Sequence, residues 1–137
     1  KYVEKSRKSA DATNMDELVK AVQVYAVDNA IVKKTNEIKV TIQLTKDGVK
    51  GADTANGGTT TPGNLKATDI ATEAFEAYVP NWKNIKLKSE QWGGNPTVEL
   101  TIDAEGGVKT TNVAPPDFKK FYGGADTTVA PAEGTNP

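Results

Sequence analysis

The sequence predicts an α+β fold, a long N-terminal helix packed on a small antiparallel β-sheet. Two observations predict it. The first 28 residues contain no proline or glycine, and from Met15 onward their apolar positions recur at steps of three and four. Beyond Asn36 the apolar period changes to two, and the alternating segments are separated by short Gly/Asn/Asp-rich turns. One helix followed by consecutive strands with tight connections is the α+β pattern.

Placed on a helical wheel, Met15, Leu18, Val19, Val22 and Ala26 fall on one side and form the stripe expected to face the sheet. Val24, Val27 and Ile31 fall opposite. Carried back toward the N-terminus, Tyr2, Ser6, Ser9, Ala10 and Thr13 lie on that second side, away from the Met15 stripe. Most of them are small, which allows another helix to approach closely. A helix on one small domain needs a single apolar stripe. The second face is therefore read as an assembly interface for another copy of the protein, against the plainer reading of a frayed terminus.

The strand segments follow in order. "IKVTIQL" places Ile38, Val40, Ile42 and Leu44 on one face of a half-buried strand. "TKDGVKGADTANGGTTTPGN" reads as a long loop with turn signals at Asp47-Gly48 and Asn56-Gly57. "ATDIATEAFEAYVP" is a short helix, with Thr68 or Asp69 as cap, Glu73 supporting its start and Pro80 stopping it. Ile70, Ala74, Phe75 and Tyr78 are its expected buried side. "IKLKSEQW", "TVELTI" and "VKTTNV" read as three further strands, joined by "GGNP" and "DAEGG" into an antiparallel meander. "TTVAPAEGTNP" is low in complexity and reads as a disordered tail.

Composition narrows the function. The 137-residue chain has 36% hydrophobic residues and a mean hydropathy of -0.53, enough for one modest core. With 17 basic and 18 acidic residues dispersed along it, no basic stripe of the kind nucleic acid requires is present, so no nucleic-acid partner is expected. The one local excess is Lys1, Lys5, Arg7 and Lys8 against Glu4 and Asp11, a solvated helix end or a segment just outside a membrane. No run reaches the roughly 18 apolar residues of a membrane span, and no signal peptide is visible.

The chain has no histidine and no cysteine, which excludes thiol nucleophiles, zinc-thiolate sites and Ser-His-Asp triads. No Walker-type loop or GxGxxG occurs, so the chain is not expected to be an enzyme or to carry a cofactor. The Asp16-Glu17 pair sits beside Lys20 and reads as solvated charge. Asp103 and Glu105 could offer oxygens to calcium, but a β-turn explains the same residues. Trp82 and Trp92 could stack on a sugar or close the end of a core, and the core is the simpler reading. Thr59, Thr60 and Thr61 could carry O-glycans.

"KYVEKSRKSADATNMDELVKAVQVYAVDN" resembles the exposed half of the N-terminal helix of type IV pilins, in particular those of Gram-positive, clostridia-like bacteria. Its "YVEKSRK" and "AVQVY" runs carry the likeness over about the first thirty residues, while "AYVPNW" and "VELTIDAEGGV" resemble the pilin sheet more loosely. The resemblance implies a pilin-like division: 1–33 as the exposed half of the helix, 34–122 as a sheet head with the 46–64 loop and a short helix near 68–79, and 123–137 as a tail. It implies an apolar half-helix upstream of Lys1 that anchors the subunit in the membrane before assembly. The implied partners are copies of the chain in a pilus fibre and the pilus assembly machinery, at the cell surface, for adhesion, twitching motility or biofilm formation. The leader-cleavage site and assembly glutamate of the family have no counterpart in this sequence. With no cysteine, the C-terminal disulfide of many Gram-negative pilins is excluded. A type II secretion pseudopilin and a small carbohydrate-binding module are the alternatives.

Overall fold

The computed structural model describes residues 2–28, 37–55, 58–103 and 107–122. Helix α1 (Tyr2–Asp28) is followed by strands β1 (Ile38–Thr45) and β2 (Gly48–Asp53), helix α2 (Ile70–Tyr78), strands β3 (Thr97–Ile102) and β4 (Val108–Ala114), and helix α3 (Pro116–Phe121). The four strands form one antiparallel sheet in the order β2-β1-β3-β4. A long N-terminal helix packed on an antiparallel sheet is the α+β arrangement that the two periods predict.

The core lies between α1 and one face of the sheet. Ile38, Val40, Ile42 and Leu44 from β1 and Val98, Leu100 and Ile102 from β3 face the helix and are buried. Met15, Leu18, Val19, Val22 and Ala26 of α1 belong to the same cluster. Burying one such side chain stabilises the fold by roughly 1.5–3 kcal/mol. The outer face of the sheet is polar and is tied across the strands by side chains: Gln43 Nε2 donates to Thr97 Oγ1 at 3.2 Å, and Thr101 and Thr111 hydroxyls lie 3.0 Å apart.

Several segments depart from the sequence reading. The 45–64 stretch is not all loop, because β2 pairs along β1 from Val40↔Asp53 to Thr45↔Gly48. The Asp47-Gly48 signal closes this hairpin, with Gly48 at a φ of 135°. Gly, Lys and Asp conceal the strand in the sequence, since all three are poor strand formers. Gly51 is required by close approach: a Cβ there would lie 2.5 Å from the Thr41 carbonyl oxygen. Gly51 also pairs with Gly63 through bonds of 2.9 and 3.0 Å, which fastens the far end of the loop to the sheet edge. Asn56 and Gly57, the second turn signal, lie outside the described residues.

The meander is also corrected, because the neighbour of β3 on its inner side is β1 rather than the 85–92 segment. That segment is extended and alternates in burial, with Ile85, Leu87 and Ser89 buried and Lys86, Lys88 and Glu90 exposed, but it joins no ladder. Its backbone donors go to Thr45 O from Leu87 N at 2.9 Å and, beyond that, to a helix side chain. In α2, Tyr78 is exposed rather than buried, while Ala71 and Thr72 join Ile70, Ala74 and Phe75 inside. Neither Thr68 nor the Asp69 side chain caps the helix. Asp53 Oδ2 instead accepts from Ile70 N at 2.8 Å, so β2 supplies the cap. Burial pushes the Asp53 carboxyl above the usual carboxylate range, partly offset by the Ile70 and Ala55 amides that bond to it.

Helix α3 has no counterpart in the sequence reading. Pro116 at its first turn, Asp117 beside it and Lys119 and Lys120 at its end are helix signals in a segment too short to show a period.

Gly51→Ala should lower stability by about 1–3 kcal/mol, because the clash is with backbone and no rotamer relieves it. Urea denaturation measures this. Unchanged stability would mean that β1 and β2 separate at no cost.

Candidate assembly surface

What fixes the polar N-terminal half of α1 is Asp11. Its side chain is fully buried. Oδ1 accepts from Lys88 N at 2.8 Å, and Oδ2 accepts from Ser89 N at 2.9 Å and from Trp92 Nε1 at 3.0 Å. These three donors replace the water that the carboxylate gives up. The accepting carboxylate in turn takes the place of the strand partner that the 85–92 segment lacks. One and two turns toward the N-terminus the contact continues: Lys8 Nζ stands 4.9 Å from the centroid of the Trp92 ring, and Ser89 Oγ donates to Glu4. Trp92 in turn meets Phe118 and Phe121 edge-on, at 5.0 and 5.6 Å between ring centroids. The first half of the helix therefore does have something to pack on. Its partner is the end of the 85–92 segment and α3, reached through polar side chains.

The other half is held by α2. Tyr25 OH donates to Glu73 Oε1 and Tyr78 OH donates to Asp28 Oδ2, both at 2.6 Å. Each helix thus gives one phenol and one carboxylate. The Glu73 hydrogen bond, with desolvation and the Glu73 charge, pushes the Tyr25 phenol up to about 12. The Asp28 hydrogen bond raises Tyr78, and burial followed by the Asp16 charge raises Tyr122 strongly.

Fixed at both ends, α1 turns its remaining side outward. Ser6, Ser9 and Thr13 are exposed and Ala10 is half-buried. Val24 and Val27 are exposed, Val27 to 70%. Tyr2 starts the helix, but its side chain lies outside the described residues, as does Ile31. The candidate interface residues whose side chains are described share one side of the helix, and the core residues Met15, Leu18, Val19, Val22 and Ala26 occupy the other.

Beside this stripe runs a groove of about 380 Å³. Glu17, Lys20, Ala21 and Val24 form one wall, and Tyr78, Val79, Pro80 and Asn81 form the other. Only Val24 belongs to the sequence-derived stripe. The second wall is contributed by the chain leaving α2, and no single-helix pattern can reveal it. Exposed Tyr78 is the residue whose expected burial would have hidden it.

Other candidates from the sequence are placed as follows. Trp82 and Trp92 are buried, and Trp82 Nε1 donates to Glu76 Oε2 at 3.1 Å, so neither ring presents a face to a sugar. Asp103 Oδ1 accepts from Gly107 N at 2.8 Å, whereas Glu105 lies outside the described residues. Among the described residues no acidic cluster has the makings of a metal site. Among them, too, no helix is long and apolar enough to cross a membrane. The 123–137 tail is outside the described residues. No family model, curated protein or solved structure matches the chain.

Asp11→Ala should strand three donors and cost about 3 kcal/mol or more, seen as a lower denaturation midpoint with a shift of Trp92 emission. Asp11→Asn keeps one acceptor oxygen and should cost less. Raising the pH gives a second test. Because the folded phenol of Tyr25 titrates higher than the free one, its bond to Glu73 contributes fully below about pH 10. That contribution is lost as the pH rises through about 12. Tyr25→Phe should flatten this part of the stability profile, and an unaltered profile would remove Tyr25 as its source.

Proposed function

We propose that the chain is a non-enzymatic structural subunit of a type IV pilus-like surface fibre, polymerising through α1. The observation that carries this reading is the outward side of α1. A helix of 27 residues, about 40 Å long, is held along one side by the sheet, α2 and Trp92. Its free side carries Ser6, Ser9, Ala10, Thr13, Val24 and Val27, small or β-branched residues that let a neighbouring helix approach. Repetition of a contact that does not close into a ring generates a filament. The "YVEKSRK" and "AVQVY" likeness supports the same reading, with an upstream apolar half-helix as membrane anchor before assembly and the cell surface as the destination. Adhesion, twitching motility or biofilm formation would then be properties of the fibre.

The burial of both tryptophans favours this reading over a carbohydrate-binding module. The pseudopilin alternative is separated by calcium. A pilin of this kind should show no change in melting temperature on calcium titration, and tight binding would favour the pseudopilin.

Two measurements test the proposal. The coding sequence upstream of Lys1 should hold a short basic leader and then about twenty apolar residues, with a glutamate near their start. An upstream region lacking them would overturn it. Val27→Asp and Ala10→Asp should leave the circular dichroism spectrum unchanged and abolish fibre formation. Normal fibres from both would show that the outward side of α1 is not the interface.

A further inference from the structure

Among the described residues four large apolar side chains stand exposed: Val3, Val24, Val27 and Tyr78. Val24 and Tyr78 line the groove between α1 and the end of α2, and Val27 lies one turn beyond Val24. Val3, 59% exposed, stands alone at the other end of the helix. The charges divide in the same way. In the groove, Lys20 is paired with Asp16 at 3.0 Å, which leaves Glu17 on one wall and Asp28, held by the Tyr78 hydroxyl, beside the other. At the N-terminal end Lys5, Arg7 and Lys8 outnumber Glu4, whose carboxylate is already bonded by Ser89 and lies 4.0 Å from Arg7.

Val3, Arg7 and Ala10 follow one another at steps of four and three and so share one edge of the helix. That edge offers an apolar side chain and a cation, while the groove offers an apolar floor and carboxylates. A single copy cannot bring the two together, because they lie 21 residues apart on one rigid helix, about 31 Å.

Resting on the fibre reading, we propose that the groove formed by Val24, Tyr78 and Pro80 receives the Val3–Ala10 edge of a second copy. In the docked pair Val3 is seated between Val24 and Tyr78, and Arg7 reaches Glu17 or Asp28. The contact is heterologous, since each copy keeps a free groove and a free Val3 edge, so it adds copies in one direction with a stagger of about three helical heptads. A symmetric pairing of groove on groove would bring Glu17 and Asp28 of both copies together and is disfavoured by like charge.

The absence of cysteine makes the test direct. Val3→Cys and Asn81→Cys each introduce one thiol, and Asn81 is an exposed groove residue whose side chain caps nothing. The two variant chains are mixed in equal amounts and oxidised with glutathione, after circular dichroism confirms that both are folded. The mixed disulfide should form about five times faster than either homodimer. Adding Arg7→Glu to the Val3→Cys chain should remove the preference, and adding Glu17→Arg to the Asn81→Cys chain should restore it. A mixed disulfide formed no more than about twice as fast as each homodimer, the statistical ratio for an equal mixture, or faster formation of the Asn81→Cys homodimer, would overturn the head-to-tail contact. Sedimentation of the unmodified chain separates the two failures. Self-association without mixed pairing overturns the groove alone, whereas a chain that is monomeric at every concentration, with random pairing, counts against the fibre reading as well.

Discussion

A carboxylate with no exposure to water organises this molecule. Asp11 sits in a stretch of helix with little apolar surface of its own, and burying its charge unpaired would cost several kcal/mol. Two backbone amides and an indole N–H meet that cost. The exchange works in both directions. The 88–92 segment has no strand beside it, and its amides would otherwise be orphaned against the helix. One side chain thus completes the hydrogen bonding of a segment that the sheet does not reach, and in doing so fixes which side of the polar half-helix faces inward.

The rest of α1 follows from that orientation. With Asp11, Met15, Leu18, Val22 and Ala26 inside, the helical period leaves Ser6, Ser9, Thr13, Val24 and Val27 outside. The two phenol–carboxylate bonds to α2 prevent rotation at the other end. Packing within the single domain therefore determines the geometry that a neighbour would meet. The groove beside Val24 arises in the same way, from Pro80 ending α2 and turning the chain back toward α1.

Much of the fold was legible in the sequence because it rests on local periodicity. The helix, β1 and β3 each have a clear period, β4 is bounded by turn signals, and Pro80 marks the end of α2. What escaped depends on distant partners. Strand β2 forms because β1 presents a ladder edge, and its Gly51 is chosen for close approach rather than strand propensity. The 85–92 segment alternates like a strand, yet its donors are claimed by Asp11, 77 residues away from Lys88 in the chain. The cap of α2 comes from Asp53 rather than from its own neighbours. Of the candidate surface, the stripe on α1 was legible for the same periodic reason. The second wall of the groove was not, since Tyr78, Val79 and Pro80 acquire meaning only once α2 lies against the helix.

The Asp11 contact also has a mechanical side. A pull along the axis of α1 would load the bonds to Lys88 N, Ser89 N and Trp92 Nε1 together, because all three end on the one Asp11 carboxylate. From there the force would pass through the 85–92 segment into the sheet, at the Leu87 amide bound to the Thr45 carbonyl and at the Lys46–Glu90 ion pair. The helix is thus coupled to the sheet by a strut as well as by its apolar contact. A side chain that looks like a flaw in a polar helix is where a stretched chain would hand its tension to the sheet.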